Sequence, residues 1–87
     1  MSLSENAAEM PRYRCHKEVW ALKISLIRKW DTFVEIFPAD EGYDSFRVTP
    51  EWFAKHNPEV GGYYVVYKDG YTSFSPAAAF EEGYTRI

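Results

Sequence analysis

The strongest constraint in this sequence is a pair of β-forming runs, Tyr63-Tyr64-Val65-Val66-Tyr67-Lys68 and Tyr71-Thr72-Ser73-Phe74, separated by Asp69-Gly70. Aromatic and β-branched side chains suit a pleated surface, and Asp-Gly tolerates the two positive φ values of a type I′ turn. A two-residue loop predicts the register: Lys68 opposite Tyr71, Tyr67 opposite Thr72, Val66 opposite Ser73 and Val65 opposite Phe74. One face of the hairpin then carries Tyr63, Val65, Tyr67, Thr72 and Phe74, and the other Tyr64, Val66, Lys68, Tyr71 and Ser73. The first face is the more apolar and is assigned to the core. Tyr64, Val66 and Tyr71 on the outer face become the candidate partner-binding residues.

The hairpin runs into Ser75-Pro76, a cap followed by proline, so a short helix is predicted over Ala77–Glu82 with Gly83 terminating it in the left-handed region. Phe80 and Tyr84, four residues apart, point the same way. The same device occurs earlier at Thr49-Pro50, where Thr49 accepts from a free N–H of the first turn and Val48 and Phe53 close a hydrophobic staple. Asn57-Pro58 ends that helix. Further upstream, Val19–Ile27 alternates Trp20, Leu22, Ile24 and Leu26 with Ala21, Lys23 and Ser25, a strand pattern. A helix is the competing reading, but it scatters Trp20, Ile24 and Ile27 over a second side. Thr32–Phe37 is a second strand stopped by Pro38, Asp40 to Asp44 an acidic loop, and Phe46–Val48 a third strand. The fold class is therefore α+β: a small, mainly antiparallel sheet of about five strands with two short capped helices, the C-terminal β-hairpin being followed by a helix.

A chain of 87 residues has room for one modest core. Residues 10–87 are expected to form a single domain and residues 1–9 a mobile leader, with Met10 as an alternative native start. Net charge is −3, and the region 38–87 carries four basic against eight acidic side chains. That balance argues against duplex nucleic acid, which needs several Lys or Arg on one face. The one basic cluster, Arg12, Arg14 and Lys17 around His16, suits a solvated face. Cys15 is the single cysteine, so no disulfide framework exists and a reducing compartment fits. The longest apolar run, Val19–Ile27, is too short to span a membrane.

Candidate chemistry is sparse. Cys15 and His16 are neighbours that an extended chain points to opposite faces, which leaves His56 as the imidazole that folding would have to bring to Cys15. A buried thiol and two surface imidazoles is the simpler account. Cys15, His16 and His56 lack paired-ligand spacing, so no metal site is expected. Asp40, Glu41 and Asp44 offer carboxylates without the EF-hand spacing and suit a solvated turn. No phosphate-cradling glycine loop or nucleophile elbow occurs, and no cofactor is implied.

The run Gly61–Pro76, followed by Ala79-Phe80-Glu81 and Gly83-Tyr84-Thr85, resembles the C-terminal part of short uncharacterised proteins encoded by tailed bacteriophages and prophages. Cys15-His16-Lys17 with Trp20–Ile24, and Pro38–Tyr43, are similar to the earlier parts of those proteins. The resemblance covers about residues 10–87 and implies a phage or prophage origin and the bacterial cytoplasm; its motifs are a turn, a cap and core aromatics, and it brings no catalytic residue. Sixteen aromatic residues in so short a chain leave some exposed, either as a partner surface or as ordinary half-buried tyrosines. The leading reading is a non-enzymatic accessory protein that binds another protein or a second copy of itself. The alternatives are a single-strand nucleic-acid binder stacking bases on those tyrosines beside Lys68 and Arg47, and a small enzyme using Cys15 and His56.

Overall fold

The computed structural model describes residues 10–14 and 18–86. In chain order its elements are β1 (Arg12–Arg14), β2 (Glu18–Lys29), β3 (Val34–Pro38), β4 (Phe46–Val48), α1 (Pro50–His56), β5 (Tyr63–Val66), β6 (Thr72–Ser75), α2 (Ala77–Gly83) and β7 (Thr85–Arg86). The leader expected at residues 1–9 and the Cys15-His16-Lys17 group lie outside the described residues.

Strand β2 is the element from which the sheet is built. Along one edge it pairs with β1 (Arg12↔Trp20 to Arg14↔Glu18) and then with β3 (Leu26↔Phe37 to Lys29↔Val34); along the other it pairs with β5 (Trp20↔Val66 to Lys23↔Tyr63). All pairings are antiparallel, with β4 on the outer edge of β3 and β6 on that of β5. The five strands β2 to β6 form the predicted α+β sheet with its two short helices, while β1 and β7 extend one margin. One extra residue, Ser25, interrupts the β2–β3 register between Ile24 and Leu26. Its hydroxyl donates to the carbonyls of Phe37 (3.0 Å) and Pro38 (3.3 Å), giving the irregular backbone a partner. Before this bulge Trp20, Leu22 and Ile24 face inward; after it the inward residue is Ile27.

The hairpin differs from its predicted register by one residue. Tyr63 faces Ser75, Tyr64 faces Phe74, Val65 faces Ser73 and Val66 faces Thr72. Gly70 alone in the loop has positive φ (91°), so the connection is the three-residue loop Lys68-Asp69-Gly70, with Gly70 N–H donating to Tyr67 O and Tyr67 N–H to Tyr71 O, both 2.9 Å. The Asp69 carboxylate accepts from the Tyr71 N–H at 2.9 Å, a local bond that closes this loop without a second positive φ. Thr72 and Phe74 therefore share a face with Tyr64 and Val66, not with Tyr63 and Val65.

Both faces of β5 are buried, which corrects the expectation of one core face and one outer face. On one side Val19, Ala21, Tyr63 and Val65 pack under Phe80 of α2. On the other, Trp20, Leu22 and Val66 pack with Met10, and half-buried Phe46 and Tyr64 join this group to Ile24, Val34, Ile36 and Val48. Helix α1 sets Trp52 and Phe53 on the latter cluster, with the Trp52 indole N–H donating to Thr72 Oγ1 at 2.9 Å.

Thr49 caps α1 as predicted, accepting from Trp52 N–H at 3.0 Å, and Asn57 ends it in the left-handed region (φ 46°). Helix α2 departs from its predicted caps. Ser75 remains in β6, Pro76 takes the N-cap position without a side-chain bond, and Gly83 is the last helical residue, followed by extended Tyr84. Ladder pairing with Tyr63 holds Ser75 in the strand, and the C-terminal bond is made by Tyr84 N–H to Phe80 O, so no left-handed glycine is needed. The Phe80 and Tyr84 rings stack with centroids 4.5 Å apart.

Replacing Thr49 with Ala leaves the Trp52 N–H without its side-chain acceptor and should lower stability by about 1 kcal/mol, read as a lower denaturant midpoint at constant slope. Gly62 is a position of close approach, where an added Cβ would overlap the Phe74 ring and lie 2.9 Å from the Ser75 carbonyl oxygen. Gly62→Ala should destabilise by about 1–3 kcal/mol through overpacking. In a double-mutant cycle, Phe74→Leu should cost less in the Gly62→Ala background than in the native one.

Candidate protein-binding surface

The residues singled out on the hairpin occupy three different environments. Val66 is buried, and Tyr64 is largely covered, its ring 4.5 Å from that of Phe46 and 5.5 Å from that of Trp52 between centroids. Burial raises the Tyr64 hydroxyl above its ordinary pKa, against a smaller lowering by its hydrogen bond with Thr72. Tyr71 alone stays half exposed, beside Tyr67, His56 and the ammonium of Lys55. His56 lies tilted against Trp52, with ring centroids 4.6 Å apart; burial, then the Lys55 charge, lowers its pKa. Its proposed partner Cys15 lies outside the described residues. Arg47 stands on β4 and Lys68 in the hairpin loop, on separate elements. Among the described residues no three His, Cys, Asp or Glu are grouped to hold a metal ion, and no helix is long and apolar enough to cross a membrane.

A second exposed aromatic, Trp30, stands on another surface among half-buried rings. Directly opposed residues on antiparallel strands share a face, so Leu26↔Phe37, Arg28↔Glu35 and Glu35↔Arg47 put these five side chains on one surface of β2–β3–β4. Their alternates Ile27, Val34, Ile36, Phe46 and Val48 fill the core side. Trp30 and Phe33 extend the outward surface at the β2–β3 turn, closed by Trp30 N–H to Phe33 O at 2.9 Å. Leu26 and Trp30 keep 43% and 49% of their area exposed.

Glu35 organises this surface. It accepts from the Trp30 indole N–H at 3.0 Å through one carboxylate oxygen and from the Ser45 hydroxyl at 2.5 Å through the other. The Arg28 guanidinium lies between the rings of Trp30 (5.8 Å) and Phe37 (5.6 Å), and that of Arg47 is 4.1 Å from the Phe33 centroid. The Ser45 bond first, then the Trp30 bond, and then the two arginine charges hold the Glu35 carboxyl below the usual carboxylate range. Arg and Trp with surrounding aromatics are the residue types that anchor protein interfaces. Sequence reasoning missed this surface by ending the strand at Ile27 and by extending the alternation of Trp20, Leu22 and Ile24 to Leu26, whereas the register shift at Ser25 reverses it.

The solution structure of the monomeric form of the phage L decoration protein, determined by NMR, is similar to this chain, with a TM-score of 0.70 and 27% sequence identity. The match covers 98% of this chain and 65% of that one, so the chain spans a little under two thirds of the phage L protein's length. No protein-family model matches the chain, and no curated protein matches it. This similarity agrees with the expected likeness to phage proteins, without bearing on the Gly61–Pro76 motif.

Protonation of Glu35 breaks the charge complementarity with Arg28 and Arg47, and its effect is readable at Trp30. Because the folded pKa is depressed, this network contributes stability above the unfolded value, which is lost as pH falls through the folded value. The Trp30 indole N–H resonance should titrate with a midpoint below 4.5, and Ser45→Ala should move that midpoint upward.

Proposed function

We propose that this chain is a phage or prophage accessory protein that acts by binding another protein, without catalysis, and that its partner is the coat protein of an assembled capsid. The observation that carries this reading is the likeness to a phage decoration protein over 98% of the chain, at 27% identity. The outward face of β2–β3–β4 supports it, because partly exposed Trp30 and Leu26 next to two arginines give a small domain the anchors that binding requires. Capsid assembly in an infected or lysogenic bacterium makes the host cytoplasm the place where protein and partner meet. Tyr71, the exposed member of the hairpin set, is an additional contact candidate.

The test is co-sedimentation of the purified protein with capsids assembled from the coat protein encoded in the same phage genome. Saturable capture, with a fixed number of copies per particle, is the expected result. Protein that remains at the top of the gradient at every concentration up to about 100 μM, weaker than specific accessory binding of this kind requires, would overturn the reading.

A further inference from the structure

We propose that the outward face of β2–β3–β4 is the docking surface and that it receives a protein segment carrying carboxylates beside apolar side chains. The identity of the partner rests on the capsid reading; its chemistry rests on the face itself. Two guanidinium groups, those of Arg28 and Arg47, are held against aromatic rings, and neither forms an ion pair among the described residues. A cation–π contact positions a guanidinium without using an acceptor. The nearest carboxylate, Glu35, already accepts from Trp30 and Ser45. Both arginines therefore keep capacity for an incoming carboxylate, which a planar guanidinium binds in bidentate fashion. Between and beside them Leu26, Phe37 and the exposed face of Trp30 supply apolar area that a purely ionic ligand would leave wet.

The same residues disfavour a nucleic-acid strand. A phosphodiester chain presents a regular row of anions and is bound by several cations along its path. This face offers two, with the ionised Glu35 between them, on a chain of net charge −3. A protein segment can place one carboxylate at each arginine and an apolar side chain over Trp30, avoiding Glu35.

Two probes separate this proposal from the capsid reading. In the first, the ¹⁵N-labelled full chain is titrated with a blocked peptide of alternating glutamate and leucine and, separately, with a ten-nucleotide oligothymidylate. The peptide should shift amides of Leu26–Phe37 and Phe46–Val48, and Arg28→Glu/Arg47→Glu should weaken it by at least about tenfold. Three carboxylates in one cross-strand row should lower the melting temperature of this variant, so Arg28→Gln/Arg47→Gln, which adds no like charge, serves as the fold control and should weaken the peptide in the same direction. In the second, capsid capture by the charge-reversed double variant is compared with capture by Lys68→Glu, a reversal in the hairpin loop. Loss of at least about tenfold in the double variant, with capture by Lys68→Glu retained, supports the proposal.

Peptide shifts on this face together with no capsid capture by the native protein would remove the capsid reading and leave the face standing. Unchanged capture by the double variant would overturn the face while the capsid reading stood. Stronger shifts with oligothymidylate than with the peptide would replace a protein ligand by a nucleic acid. Concentration-dependent self-association that is abolished by the double variant would show that a second copy occupies the face, and would equally overturn the proposal.

Discussion

Twelve residues of β2 have to satisfy three other strands, and the single extra residue at Ser25 is what makes that geometrically consistent. A strand alternates its side chains strictly, so an uninterrupted β2 would keep every even-numbered residue on the side of Trp20, Leu22 and Ile24. Leu26, Arg28 and Trp30 would then point into the core, and Arg28 carries a charge whose burial is costly. The bulge reverses the alternation, sends Ile27 inward to meet Ile36, and turns Leu26, Arg28 and Trp30 to solvent. The outward aromatic and arginine surface and the core are thus two consequences of one backbone irregularity.

The second dependency is the two-sided burial of β5. Tyr63 and Val65 need a cover on their side of the sheet, and the chain supplies it with α2, whose Phe80 is almost fully buried against them. Burial of a phenylalanine of this kind is worth about 1.5–3 kcal/mol, enough to hold a two-turn helix that lacks a side-chain cap. The polar contacts at the same place have a different part. Glu81 accepts from Lys23 Nζ at 3.0 Å and from the Tyr63 hydroxyl at 2.8 Å, which orients the helix across the sheet. Those bonds depress the Glu81 carboxyl pKa, the Lys23 bond most, but an exposed pair of this sort adds little stability of its own.

How much of this was legible in the sequence follows from the range of the interactions. The Thr49 cap, Phe46–Val48, the end of α1 at Asn57 and the contact of Phe80 with Tyr84 depend on residues a few positions apart, and each is found as expected. The hairpin was legible as a hairpin, but its register hung on whether Asp69 adopts positive φ, and a carboxylate bond to Tyr71 N–H decided that. Tyr63-Tyr64-Val65-Val66 has no polar alternation to mark a solvent side, and in the fold it has none: α2 covers one face and the curl of the sheet covers the other. The assignment of Tyr64 and Val66 to an outer surface failed for that reason, while Tyr71, beyond the ladder, stayed exposed. The β2–β3–β4 surface was hidden because it requires knowing that the alternation reverses at Ser25.

Glu35 interrupts what would otherwise be a continuous apolar and cationic strip on this surface. Without a carboxylate in the middle row, Arg28 and Arg47 would flank an apolar strip of Phe33, Phe37, Trp30 and Leu26 that could accept almost any hydrophobic or anionic partner. With it, the Trp30 indole N–H is satisfied and its ring is fixed, Ser45 is tied to the same group, and the two guanidinium charges stand on either side of a negative one. Fixing these side chains in advance reduces the ordering cost of association. On the docking proposal, the alternating charge across three strands asks for a partner that is acidic opposite the arginines and neutral opposite Glu35, since a carboxylate placed at the centre would meet like charge. On that proposal, selectivity on so small a face comes from what Glu35 repels as much as from what the arginines attract.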